Sequence, residues 1–452
     1  MNEKKKIRAW CLYDFGNSAF ATTILAAVLP VYFSSVIYTG TETAATAIWG
    51  IITAVSMAVM AVISPILGAI SDSANSKKKF WTFFMGLGCL STGLLFLPNP
   101  GDTLLLSVIF VLANIGFAGS LTFYDAFLPH IVTAERLDKT SSAGYAWGYI
   151  GGGLLLIVNM AMIMNPGYVL GQSDPNIGYK VSFVSVALWW FVFSIPMMRH
   201  IKEPVISETP KKAGAAIRDG FVHLKNTFSH IRQYKELFKF LIAFFFYIDG
   251  VGTIIRMATV FASDKQLALS NTLEAATGGI LTMSMVMALG LLITQLVAWP
   301  MAFVLGRAGS RWGAKKTLYL CIVSYIVIAT LGTFMFADWN FLVLAALVGT
   351  VQGGVQALSR SLFAAMVPRE KTGEFFGFFG IFEKFASILG PLLMSLVTVL
   401  TGNVRLSVLA VIPLFVVGIV LLIKAKTPDT RFKIAGSAEL NETSASLQSE
   451  QP

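Results

Sequence analysis

Long apolar blocks, separated by short clusters of polar and charged residues, organise this chain from its first turn almost to its end. Twelve of these blocks have the ~17–25 residues that a helix needs to cross a bilayer core of about 30 Å. The first runs from Trp10 to Ile37, the third from Phe80 to Leu97 and the last from Ser407 to Ile423. The pattern predicts an all-α membrane protein with twelve transmembrane helices. Two stretches depart from it. Within 199–236, Ile217, Phe221, Leu224, Phe228 and Ile231 recur every three or four residues, with Arg218, Lys225, Arg232 and Lys235 on other faces. This spacing predicts an amphipathic helix on the inner leaflet. The stretch 427–452, rich in Ser, Glu and Thr, has too little apolar surface to fold.

The charges give these helices a direction. Only 13% of the 452 residues are charged and 55% are hydrophobic, yet the net charge is +10. All but six of the 34 Lys and Arg fall in the N-terminus, in alternate loops and in the tail; the six are Lys180, Arg256, Lys265, Arg360, Lys384 and Arg405. By the positive-inside rule that side is cytoplasmic, with both termini on it. The basicity is therefore topological and predicts no nucleic-acid partner. The apolar run after "MNEKKKIR" is too long for a cleaved leader, so it is expected to stay as a membrane span. Cys11, Cys89 and Cys321 all lie inside spans, with neither a disulfide framework nor metal-ligand spacing. Among the aromatic residues, Trp189, Trp190 and Trp299 are expected to anchor spans at the membrane interface.

The chain contains a repeat. "LYDFGNSAF" from Leu12 aligns with "YIDGVGTII" from Tyr247, placing Asp14 opposite Asp249, 235 positions on. "GAISDSANSKKKF" from Gly68 aligns with "GRAGSRWGAKKTL" from Gly306 at an offset of 238, and "DAFLPHIV" from Asp125 with "RSLFAAMV" from Arg360 at 235. Three ordered matches at nearly one offset predict two pseudo-symmetric six-helix halves, 1–198 and 237–426, joined by 199–236 and followed by the tail 427–452.

Both copies start on the same side of the membrane, which is similar to the parallel repeats of major facilitator transporters. The second aligned segment resembles the signature loop of that superfamily. Gly68, Asp72 and the lysines 77–79 fit it in the first half; Gly306, Arg311, Gly313, Lys315 and Lys316 fit in the second, where Ser310 replaces the acid. These residues are gate candidates, because Asp72 can accept hydrogen bonds from a helix N-terminus or a cation across the seam between halves. Four further blocks, "YDFGNSAFATTI", "SSAGYAWGYIGGG", "GGVQALSRSLFAAMVP" and "FFGFFGIFEKFASILGP", resemble one branch of the superfamily. It is the unknown major facilitator group that holds the autophagy-related vacuolar amino-acid effluxers and their bacterial relatives. The resemblance covers about Trp10 to Ile423 and implies the twelve-helix major facilitator fold. For the fungal members it implies efflux of neutral amino acids. The short external loops resemble those of bacterial members, which places the chain in the plasma membrane, and the monomeric habit of the family implies a monomer.

Seven ionisable residues sit within spans: Asp14, Asp125, Asp249, Glu383, Arg256, Arg360 and Lys384. A charge in hydrocarbon costs at least ~2.5 kcal/mol, so these residues are expected to face the interior and pair. Four acids against three bases leave one carboxylate over, free to bind a substrate ammonium or a proton. Asp249 and Arg256 are two turns apart on one face, and Asp14, Asn17 and Ser18 form a polar patch on the first span. The candidates for substrate or proton binding are Asp14, Asn17, Asp125, Asp249, Arg256, Gln352, Gln356, Arg360 and Lys384. Adjacent Glu383 points to a different wall from Lys384 and reads as a local departure from the family block. No nucleotide loop, metal motif or nucleophile triad appears, so neither enzyme activity nor a cofactor or metal is expected. The expected function is secondary transport by alternating access of a small metabolite such as a neutral amino acid, with a proton able to couple. Two alternatives remain: export of lipids or drug-like amphiphiles, and a non-transporting membrane sensor.

Overall fold

The structure is a computed structural model, and it describes residues 2–171, 174, 176–206, 222, 227, 231–262, 269–279, 281–386 and 388–428. Most of the expected amphipathic helix in 199–236, and the tail beyond 428, lie outside the described residues.

Twelve long helices carry the chain: α1 (Glu3–Ile37), α2 (Glu42–Ser73), α3 (Lys77–Leu94), α4 (Thr103–Ile131), α5 (Leu137–Met164), α6 (Ile177–His200), α7 (Lys235–Ala262), α8 (Met283–Trp312), α9 (Ala314–Gly332), α10 (Asp338–Met366), α11 (Arg369–Thr401) and α12 (Val404–Lys424). Eleven helices among the described residues are long and apolar enough to cross a membrane, against the twelve expected. The exception is α3, whose 18 residues open with three lysines, so that its apolar part is short. It still packs in the bundle, between α4 and α6.

Apolar side chains on the outer faces stay exposed, as a lipid-facing surface requires: Val62, Leu90, Leu188 and Ile423 are each 60% exposed or more. Inside, aromatic rings fill the core. Trp190 is fully buried against Phe20 and Phe117 rather than at an interface; the expected interfacial role gives way to packing on the small residues of the facing helices.

Helix neighbours repeat across the molecule. In the first six helices α1 packs on α5 and α6, α3 on α4 and α6, and α2 on α4; in the last six α7 packs on α11 and α12, α9 on α10 and α12, and α8 on α10. The contacts that join the sets follow the same rule: α2 packs on α11 as α8 does on α5, and α4 on α11 as α10 does on α5. Even the tight turns correspond. Asn75, between α2 and α3, and Gly313, between α8 and α9, are 238 apart, and both have left-handed backbone (φ 46° and 98°) that Gly and Asn tolerate best.

Two helices depart from regularity. α1 winds as π-helix over Phe20–Val28 and Phe33–Ile37, with Pro30, which lacks an N–H, between them. α11 leaves the helix at Ala386 and resumes at Leu389.

Candidate functional site

Arg360 on α10 is 2% exposed and lies where four helices meet. Its Nη1 donates to Asp125 Oδ1 on α4 at 2.8 Å, and its Nη2 stands 3.6 Å from Asp14 Oδ2 on α1. Nε donates to Ser141 Oγ and Nη2 to the Ser141 carbonyl on α5, each at 2.9 Å. Trp10, Tyr124 and Tyr145 surround the guanidinium at 4.7, 5.6 and 4.3 Å from their ring centres. A planar fork that stacks on rings and donates in several directions suits this position, and lysine could not replace it. Asp14 also accepts from the Tyr124 hydroxyl at 3.0 Å, while Trp10 stacks on Tyr124 and donates from Nε1 to its carbonyl. The carboxylate that interrupts the first apolar run is thus held by a cation and a phenol.

The serines beside Arg360 extend the tie. Ser359 Oγ shares a hydrogen bond of 2.7 Å with Tyr247 Oη on α7, and Ser361 Oγ donates to Asp138 Oδ1 on α5 at 2.5 Å. Asp138 is 4% exposed. It was missed in the sequence because the apolar pattern begins only at Gly144, beyond it. Ser141, Tyr124 and Tyr145 were also missed, since tyrosine and serine in apolar runs are ordinary; only their position opposite buried charges distinguishes them.

The gate candidates meet at the end of the molecule that bears the basic loops. Asp72 accepts from Gly373 N at 3.1 Å and from Glu374 N at 2.9 Å, at the N-terminus of α11, and pairs with Lys77. His130 Nε2 and Thr372 Oγ1 are 2.9 Å apart beside them. Here α2 and α11 touch backbone to backbone. A Cβ on Gly373 would stand 2.7 Å from the Gly68 carbonyl, so both glycines are needed for the approach. The other seam differs. Ser310 donates to its own helix at Gly306 O, Lys315 donates to Ala425 O at 2.7 Å, and Arg311 is exposed. Back beside Lys77, Glu203 Oε2 accepts from Lys78 N at 2.8 Å, and burial pushes its carboxyl above the usual carboxylate range.

Asp249, the counterpart of Asp14, is fully buried and does something different. Its oxygens accept from Leu389 N at 3.1 Å, Gly390 N at 3.2 Å and Thr253 Oγ1 at 3.4 Å, which caps the second piece of α11 just past its interruption. Among the described residues it makes no ion pair with Arg256, which is exposed. The two still act on each other electrostatically along their shared helix face.

Lys384 Nζ donates only weakly, to Gly380 O at 3.4 Å. Glu383 acts electrostatically on Asp125, Arg256 and Lys384, so it belongs to the same polar region and is no bystander. Gln356 accepts from the Tyr149 hydroxyl at 2.7 Å, whereas Gln352 Oε1 and Asn17 Nδ2 are buried and have no hydrogen-bond partner among the described residues.

Comparison with known proteins gives a consistent picture. Residues 34–428 match the family described as "Vacuole effluxer Atg22 like". An MFS-type transporter of Bacillus subtilis, YxiO, is 39% identical over 92% of this chain and 94% of its own. Autophagy-related protein 22 of Saccharomyces cerevisiae is 28% identical over 74% of this chain and 69% of its own. Among solved structures, the fold is similar to that of the major facilitator transporter FucP in its outward conformation (TM-score 0.66, 13% identity, 94% of this chain and 99% of that one). It is also similar to the human organic anion transporter MFSD10 (TM-score 0.65, 13% identity, 93% and 100%).

Proposed function

This chain belongs to the Atg22-like family of major facilitator transporters, and on that premise we propose that it is a secondary active transporter exporting or exchanging small neutral amino acids by alternating access. One observation carries the reading: two carboxylates, Asp14 and Asp125, share the single guanidinium of Arg360 at the contact between the halves. The excess negative charge suits a substrate ammonium or a coupling proton. Weakly held Lys384 acts electrostatically with Asp125 and, through Glu383, adjoins exposed Arg256; both cations suit a carboxylate. A zwitterion placed between them would exchange internal ion pairs for its own, which loosens the tie between halves only when cargo is present.

Asp72 serves as the latch of the basic-loop end, taken as cytoplasmic with both termini, and the chain works as a monomer in the plasma membrane. Counterflow in proteoliposomes with a radiolabelled amino-acid pool, at two pH values, tests the reading. Flux that Asp125→Asn abolishes supports it, and pH dependence of that flux supports proton coupling. Folded protein that gives no counterflow with any amino acid would overturn it. A second reading, export of amphiphiles, is favoured by an apolar cavity in the last six helices.

A further inference from the structure

That cavity has a volume of about 150 Å³ and lies among α7, α8, α9 and α10, closed by residues of α11 and α12. None of its lining residues is charged, and four are methionines: Met257, Met287, Met335 and Met394. Methionine is flexible and polarisable, so such a wall adapts to ligands of different outline. Polar atoms are few. Thr294 Oγ1 is already committed to the Gly290 and Ala345 carbonyls, at 2.9 and 3.0 Å, and Thr253 Oγ1 to Asp249. Two carboxamides are left. Gln295 is 5% exposed and its side chain makes no hydrogen bond among the described residues; the carbonyl oxygen of Gln352 is buried and, among the described residues, has no partner.

Buried side-chain amides are nearly always hydrogen-bonded. A pocket that is otherwise apolar and is lined by two carboxamides, one of them with an unmet carbonyl oxygen, has the make-up of a small-molecule site, in which a few polar groups orient an apolar ligand. We infer that this cavity binds an uncharged molecule with an apolar body and one hydroxyl or amide end, its polar end held by Gln295 and Gln352. A glutamine can both donate and accept, so a hydroxyl satisfies both residues at once. A charged ligand is rejected, because nothing in the wall pairs with it and the cost of desolvating an ion is large. The site is separate from the Asp14–Arg360–Asp125 cluster, and the inference holds whatever cargo that cluster handles.

Photolabelling reads binding without flux. The full-length protein in lipid nanodiscs is irradiated with an octanol bearing a diazirine, and the labelled peptides are mapped by mass spectrometry. Saturable labelling of cavity residues of α7, α8 and α10 is expected, competed at least five-fold by excess 1-octanol and not by octylammonium at the same membrane concentration. Gln295→Leu and Gln352→Leu, which keep the volume, should each lower labelling several-fold, and Ala258→Phe should remove it. Labelling that does not saturate and falls only on lipid-facing residues such as Leu188 would overturn the inference, as would equal competition by octylammonium. The competition arms use the unmodified protein, so a variant that fails to fold leaves the test intact.

Discussion

Arg360 and Asp125 occupy the same position of the two repeats, 235 residues apart, and they are bonded to each other at 2.8 Å. In a two-fold arrangement the position that faces the axis meets its own copy, as in an isologous interface. Two identical charges there would repel. The repeat has therefore resolved its axis into an acid on one half and a base on the other, with Asp14 as a second acid within reach.

Removing the base should be costly. Arg360→Gln leaves Asp14 and Asp125 buried without a cation, and the loss expected from breaking a buried pair is about 3–5 kcal/mol. Thermal unfolding in detergent should show a clear fall in Tm, partly recovered in the double variant with Asp125→Asn. Arg360→Lys should fold but lose at least ten-fold in counterflow, because an ammonium cannot serve Asp125, Ser141 and Asp14 from one place.

Asp72→Asn should weaken the latch on α11 without unfolding the protein. The charge–dipole part of this contact is about 1 kcal/mol, near a five-fold change in population. Spin labels at Lys79→Cys and Glu370→Cys, in a background lacking the three buried cysteines, should report a larger share of long distances across the α2–α11 seam. An unchanged distance distribution would exclude Asp72 as a latch.

Gly373→Ala acts on the same seam by sterics. The added methyl meets the Gly68 carbonyl and Asp72 Oδ1, at 2.7 and 2.9 Å, so the seam should stay open and transport should fall at least ten-fold while the melting temperature changes little. The same label pair separates this from loss of fold.

Asp249→Ala should behave as a structural lesion. It orphans the amides of Leu389 and Gly390 at the start of a helix piece, each costing about 1–3 kcal/mol when buried. Asp249→Asn keeps an acceptor and should recover more than half of the lost stability in the same unfolding assay.

The apolar blocks made the helices legible in the sequence, and the spaced matches made the repeat legible, because both are periodic features of composition. The meeting of Asp14, Asp125 and Arg360 was legible only as a list of charges that must avoid lipid. Which acid meets which base depends on how α1, α4 and α10 cross, and spacing along one chain does not encode that. Asp249 shows the limit most clearly. Its alignment with Asp14 implied a shared role, yet it caps a helix interruption at Ala386 to Leu389; Gly390 and Pro391 mark that break in the sequence, but nothing along the chain shows that a carboxylate of another helix closes it. Asp138 escaped for the opposite reason: it lies in the polar first turn of α5, outside the apolar run.

The two seams at the basic-loop end correspond in the repeat, but the position of Asp72, whose carboxylate accepts from the amides of α11, is held on α8 by Ser310, which bonds within its own helix. A door held by two equal bolts parts down the middle. If Asp72 is such a bolt, the α5–α8 edge should yield at lower cost, with α2–α11 as the jamb on which the halves swing. The first gap for cargo should then open off-centre, beside Ser310 and Asp138, so that a molecule entering or leaving would meet α5 and α8 before it meets Arg360.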